Sequence, residues 1–137
     1  MKPIRLSDLI RRASHALTAQ YMQQEPGLTL PQAQILRALI EWGPSTQVLL
    51  MEATAIDRST MSQVLAYLCE TKLTKRCVDE RDKRAKQVTI TSAGSTALYA
   101  AEDALNIAED RILKRVPRVA RAAFRQALQA IAKSKNG

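Results

Sequence analysis

The sequence predicts a mainly α-helical protein with one small β-hairpin. Three observations carry that prediction. Apolar residues recur at helical spacing over most of the chain. Two short runs, Thr74 to Val78 and Gln87 to Ile90, read as strands on either side of a polar turn. Pro26-Gly27, Gly43-Pro44 and Pro117 fall where the helical pattern has to stop. At 137 residues the chain is one domain by length, and large enough to bury a core without disulfides or metal.

Residues 4–24 read as a long helix, with Leu6, Ile10, Ala13, Leu17 and Tyr21 along one face. Ser7-Asp8 and Arg11-Arg12 lie off that face. After a connector at Leu28–Leu30, Pro31 suits the first turn of a second helix, which runs to Trp42. Ile35, Leu36, Leu39 and Ile40 are its expected buried positions. Ser45 or Thr46 then caps a short third helix reaching about Ala53, with Leu50 and Ala53 inward. Asp57 sits where an N-cap belongs, and Met61, Val64, Leu65 and Leu68 form one stripe of the helix that follows. Its other face is short and polar: Ser59, Gln63, Ala66 and Glu70, flanked by Thr60, Ser62 and Tyr67. The two strands come next, joined by Asp79-Glu80-Arg81-Asp82-Lys83-Arg84-Ala85-Lys86, which is too polar to bury. Thr91 or Ser92 caps a long helix to about Val116, with Leu98, Ala101, Leu105, Ala108 and Ile112 on its buried side. Past Pro117, a last helix from Arg118 to about Lys133 repeats Val119, Ala123, Ala127 and Ile131, with Phe124 and Leu128 beside them. The final residues are expected to fray.

Helix, hairpin and basic turn together describe a winged helix-turn-helix. A face built of short hydroxyl and amide side chains fits into a DNA major groove and reaches base edges there. The net charge of +8 is a weaker argument than its placement. Residues 1–71 carry six basic and six acidic groups, residues 72–110 seven of each, and residues 111–137 eight basic and none acidic. The excess therefore lies in the last 27 residues. Lys72 to Lys86, however, holds seven basic against three acidic groups on one hairpin, the local footprint that phosphate binding requires.

Asp82-x-Arg84, then Val88-x-Ile90-Thr91-x-x-Gly94, resembles the wing signature of the MarR family of bacterial transcription regulators. The upstream order, Asp57-Arg58-Ser59-Thr60, recognition helix, Leu73-x-x-Arg76, is similar too. The resemblance spans roughly residues 28–115 and is specific as a combined pattern. It implies a winged lobe at 28–94 within a single domain of 137 residues, and dimerisation helices at 1–27 and 95–137 that interlock two copies into a homodimer. The three helical segments outside the winged unit agree, because a second copy would cover their apolar faces. Glu102, Asp103, Glu109 and Asp110 face a following helix bearing Arg118, Arg121 and Arg125, so pairing within or between subunits is expected. Four positions depart from the family pattern. Ala55 and Lys72 stand where glycine is frequent, and Val48-Leu49 where polar residues are. Lys72 falls past a helix C-terminus, where left-handed geometry is common and costs a non-glycine residue about 1 kcal/mol.

The expected DNA contacts are Thr46, Gln47, Arg58, Ser59, Thr60, Ser62, Gln63, Arg81, Lys83, Arg84 and Lys86. Gln63 is the best base reader, since a carboxamide pairs bidentately with adenine. The family resemblance places Arg84 in a minor groove, where negative potential concentrates. Arg81, Lys83 and Lys86 suit phosphates. Asp82 shapes the turn or orients Arg84. Thr46 and Gln47, at a helix N-terminus, are placed to hold a phosphate.

His15 and Trp42 are candidates for an effector pocket, against readings as packed or surface histidine and core tryptophan. Family members respond to small aromatic or phenolic anions. Cys69 and Cys77 read as two small packed thiols or as a redox switch. One histidine makes no histidine-cluster metal site, and no cofactor is expected. No Gly-rich phosphate loop, nucleophile elbow or paired-carboxylate pattern appears, so an enzyme is not expected. No apolar run reaches the ~18 residues of a membrane span, and MKPIRLSDLIRR lacks an apolar signal region; the cytoplasm is the expected compartment. The expected function is a homodimeric regulator, a repressor on a pseudo-palindromic operator, released by a small molecule. The alternatives are a winged-helix interaction module that lost DNA, and a thiol-sensing regulator.

Overall fold

The computed structural model describes residues 2–78 and 86–133. The chain forms two compact units, Glu25–Leu105 and the combination of Met1–Gln24 with Asn106–Gly137.

The Glu25–Leu105 unit begins with α2 (Leu30–Trp42). Its start is a capping box, where the sequence predicts a connector: Thr29 Oγ1 accepts the Gln32 N–H at 3.3 Å, and Gln32 Oε1 accepts the Thr29 N–H at 2.9 Å. Ala33, Ile35, Leu36, Ala38 and Leu39 are buried. Ile40, expected among them, is 43% exposed. The buried arc turns toward Ile35 and Ala38 and leaves Ile40 at its edge in the last turn. Trp42 is 73% exposed and so is no core residue. Gly43 ends the helix with φ 75°, a value that favours glycine.

Thr46 caps α3 (Gln47–Thr54), its hydroxyl accepting the Leu49 N–H at 3.2 Å. Ser45–Thr46 also forms a two-residue strand, β1, absent from the sequence reading. It pairs antiparallel with β3 (Lys86–Ile90), Ser45 opposite Val88, and β3 pairs with β2 (Thr74–Val78), Thr74 opposite Ile90. The sheet order is β1-β3-β2. β1 thereby fastens the N-terminus of α3 to the hairpin.

α4 (Arg58–Glu70) buries Met61, Leu65 and Leu68 within this unit. Its C-terminus closes as a Schellman turn: the Leu73 N–H reaches the Leu68 carbonyl at 2.9 Å and the Lys72 N–H the Cys69 carbonyl at 3.1 Å. Lys72 takes φ 63° and Ala55 φ 59°, so both left-handed positions are kept without glycine. Thr91 ties hairpin to helix. Its hydroxyl donates to the Lys72 and Leu73 carbonyls at 2.8 and 3.0 Å and accepts the Gly94 N–H at 3.1 Å, capping α5 (Ser92–Leu113). A Cβ on Gly94 would stand 2.2 Å from the Leu73 carbonyl oxygen, which explains the glycine of the wing signature. Leu98, Ala101 and Ala104 of α5 are buried, and Arg37 of α2 pairs with Glu102 at 2.9 Å.

The other unit contains α1 (Leu6–Gln23), the end of α5, a 3₁₀ turn at Arg118–Ala120 and α6 (Arg121–Lys133). Tyr21 and Ala108 are buried, while Leu6, Leu9 and Ile10 of α1 are exposed. α6 buries no residue, and Val119 before it is 97% exposed. The expected pairing of α5 acids with Arg118, Arg121 and Arg125 does not occur within one chain among the described residues. Asp110 pairs with Lys114 at 3.5 Å, and the Arg121 guanidinium donates to the Val116 carbonyl at 3.1 Å instead.

Candidate nucleic-acid interface

α4 presents its polar face outward because its apolar stripe is already buried behind it. Arg58, Ser59, Ser62, Gln63, Ala66 and Glu70 are all exposed. Asp57 anchors the start of this face. Its carboxylate accepts the Thr60 N–H at 2.8 Å and the Thr60 hydroxyl at 2.9 Å. These bonds, the backbone one first, hold the Asp57 carboxyl below the usual carboxylate range. The Thr60 proton is thereby committed to Asp57, and only its oxygen lone pairs remain for DNA. Ser59, Ser62 and Gln63 carry the rest of the donor and acceptor groups of the face.

Gln47, at the first turn of α3, donates from Nε2 to the Ser62 hydroxyl at 2.7 Å. Two residues assigned separately, one to phosphate and one to the groove, are thus joined. Beside them lies an open hollow of about 390 Å3 lined by Thr46, Gln47, Val48, Leu65, Arg76, Lys86 and Val88. The buried Leu65 and Val88 lie among its lining, together with the exposed cations Arg76 and Lys86. Such a rim attracts phosphate oxygens, and the α3 N-terminus beside it favours the same sign of charge. Arg76 was not among the expected contacts. Its place on β2 opposite Val88 brings it there, a pairing that one strand alone does not reveal.

Arg81, Asp82, Lys83 and Arg84 lie outside the described residues. His15 and Trp42 are both exposed and belong to different units. Of the thiols, Cys69 is half-buried with Sγ 3.2 Å from the Thr74 hydroxyl, whereas Cys77 is exposed and is not the packed thiol expected. Val48 and Leu49 are 55% and 53% exposed, so neither supports the core. Among the described residues no three His, Cys, Asp or Glu side chains gather as metal ligands, and no helix is long and apolar enough to cross a membrane.

Comparison with known proteins gives the fold a context. Residues 27–85 match the model of the MarR family. The transcriptional regulator HosA of Escherichia coli is 33% identical over 92 residues, covering 67% of this chain and 68% of HosA. The HTH-type transcriptional repressor NicR of Pseudomonas putida is 36% identical over 94 residues, covering 67% of this chain and 60% of NicR. Among solved structures, BpsR of Bordetella bronchiseptica, described in terms of regulation of its DNA binding by 6-hydroxynicotinic acid, superposes with a TM-score of 0.88. It is 26% identical, over 98% of this chain and all of BpsR.

Proposed function

The chain belongs to the MarR family of transcription regulators, and from that premise we propose that it is a homodimeric repressor that reads a pseudo-palindromic operator and leaves it when a small molecule binds. The observation that carries DNA reading is the exposed short polar face of α4 beside Arg58, Arg76 and Lys86. Gln63 and Ser62 face the bases, and the cations with the α3 N-terminus hold the backbone. Two such faces about one helical turn apart, roughly 34 Å, would cover promoter DNA. The dimer reading is supported by Leu6, Ile10, Leu128 and Ile131, which one chain leaves in water. The cytoplasm is the matching compartment.

For release, we propose a small aromatic acid, by analogy with 6-hydroxynicotinic acid and BpsR. Trp42 is the sole tryptophan and is largely exposed, so its emission reports directly on a ligand.

The test is a binding isotherm on fragments selected from genomic DNA. Affinity should fall steeply between about 50 and 200 mM salt. Addition of 6-hydroxynicotinic acid or a related ring acid should release the DNA and shift Trp42 emission. Salt-independent binding would favour the interaction-module reading. The exposed Val48-Leu49 pair motivates that reading; the retained geometry at Ala55 and Lys72 removes its other motive.

A further inference from the structure

The hydrogen bond between Gln47 and Ser62 does more than join two helices. Four threonine hydroxyls elsewhere in the chain serve their own helix: Thr18, Thr54, Thr71 and Thr96 each donate to the carbonyl four residues earlier. Ser62 forms no such bond among the described residues. Its oxygen instead accepts from the Gln47 amide, and the side chain is exposed. The amide is itself well held. Gln47 is half-buried at the start of α3, the turn that Thr46 caps and that β1 fastens to the sheet.

A free serine hydroxyl donates or accepts equally well, and so reads either kind of base edge. A hydroxyl that already accepts from a fixed donor is polarised toward giving its own proton away. We propose that Gln47 is a positioning residue that biases Ser62 toward donating, so that it offers a proton to an acceptor on the major-groove edge. The base so read is guanine or thymine, whose only polar groups on that edge are acceptors (N7 and O6, or O4), rather than cytosine, which presents only an amino group; adenine presents both kinds. This rests on the DNA-reading function above and adds to it a determinant of sequence preference that need not touch the base.

The test is a selection from randomised operators by the full-length wild type, Gln47→Ala, Ser62→Ala, the double variant and Gln47→Glu, with thermal melts confirming that each is folded. In the wild type, one position per half-site should favour guanine or thymine over cytosine by about threefold to tenfold, the worth of one hydrogen bond. That preference should vanish in both single alanine variants, with no further loss in the double. In Gln47→Glu the carboxylate accepts the Ser62 proton, and the same position should turn toward cytosine. The proposal is overturned if Ser62→Ala loses no preference, if Gln47→Ala keeps what Ser62→Ala loses, or if the two losses add. A wild type that selects no sequence would overturn the DNA-reading function itself, and is distinguished because it fails before any substitution is made.

Discussion

α4 and α6 are helices of the same length, 13 residues each, and they answer opposite demands. α4 buries Met61, Leu65 and Leu68 in its own unit and turns serine, glutamine and alanine outward. α6 buries nothing and leaves Leu128 51% and Ile131 65% exposed. Burying a leucine fully is worth roughly 1.5–3 kcal/mol, so an uncovered stripe forgoes a substantial stabilisation that a second surface can supply. Exposure alone therefore does not identify a binding face. On α4 the apolar demand is met, and the exposed chemistry is free for a polar partner. On α6 the exposed chemistry is the unmet demand, and a protein surface is the partner it calls for.

The contrast can be broken most severely at α6. Leu128→Glu with Ile131→Glu should convert the proposed dimer into a monomer by sedimentation and lower operator affinity about 100-fold or more, since the two half-sites would no longer be held by one particle. An unchanged mass would show that α6 covers nothing. The same kind of truncation on α4 should act on folding instead. Leu65→Ala should lower the unfolding free energy by about 2–5 kcal/mol in urea, through lost contact and a residual cavity, whereas Ile131→Ala made in the monomer should change it by less than about 0.5 kcal/mol.

The frame that holds α4 gives smaller effects. Gly94→Ala forces a Cβ onto the Leu73 carbonyl and should cost about 1–3 kcal/mol. Lys72→Gly relieves the left-handed turn after α4 and should raise stability by about 0.5–1 kcal/mol, seen as a higher melting temperature. The smallest effect is tied to pH. The folded Asp57 carboxyl lies below its unfolded value of 3.8, so its contribution is present above that pH and is lost as pH falls through the lower folded value. The melting-temperature gap between wild type and Asp57→Ala should therefore be full at pH 7 and narrow below pH 3.8.

These features were unevenly legible in the sequence. The Asp57 cap, the Met61–Leu68 stripe and the Gly43 stop depend on neighbours a few residues away, and local pattern revealed them. The Thr29-Gln32 capping box was equally local and was readable as T-x-x-Q, but Pro31 drew the boundary a residue or two late. β1 is two residues long, too short to show any period, and exists only because β3 lies beside it. Ile40 and Trp42 carry apolar side chains on an apolar helix; only the rotation of α2 against its unit decides that they stay outside. The link between Gln47 and Ser62 spans fifteen residues and depends on how α3 meets α4, so two separately plausible contacts gave no hint of being one device.

In the proposed function, the outward face of α4 and the basic hairpin engage one duplex, twice over, through a symmetric pair. Hydroxyl-radical footprinting of a selected operator tests it most directly. Two protected patches with centres about one helical turn apart, roughly 34 Å, on the same side of the duplex are the predicted result. One patch alone, or uniform protection without register, would contradict it.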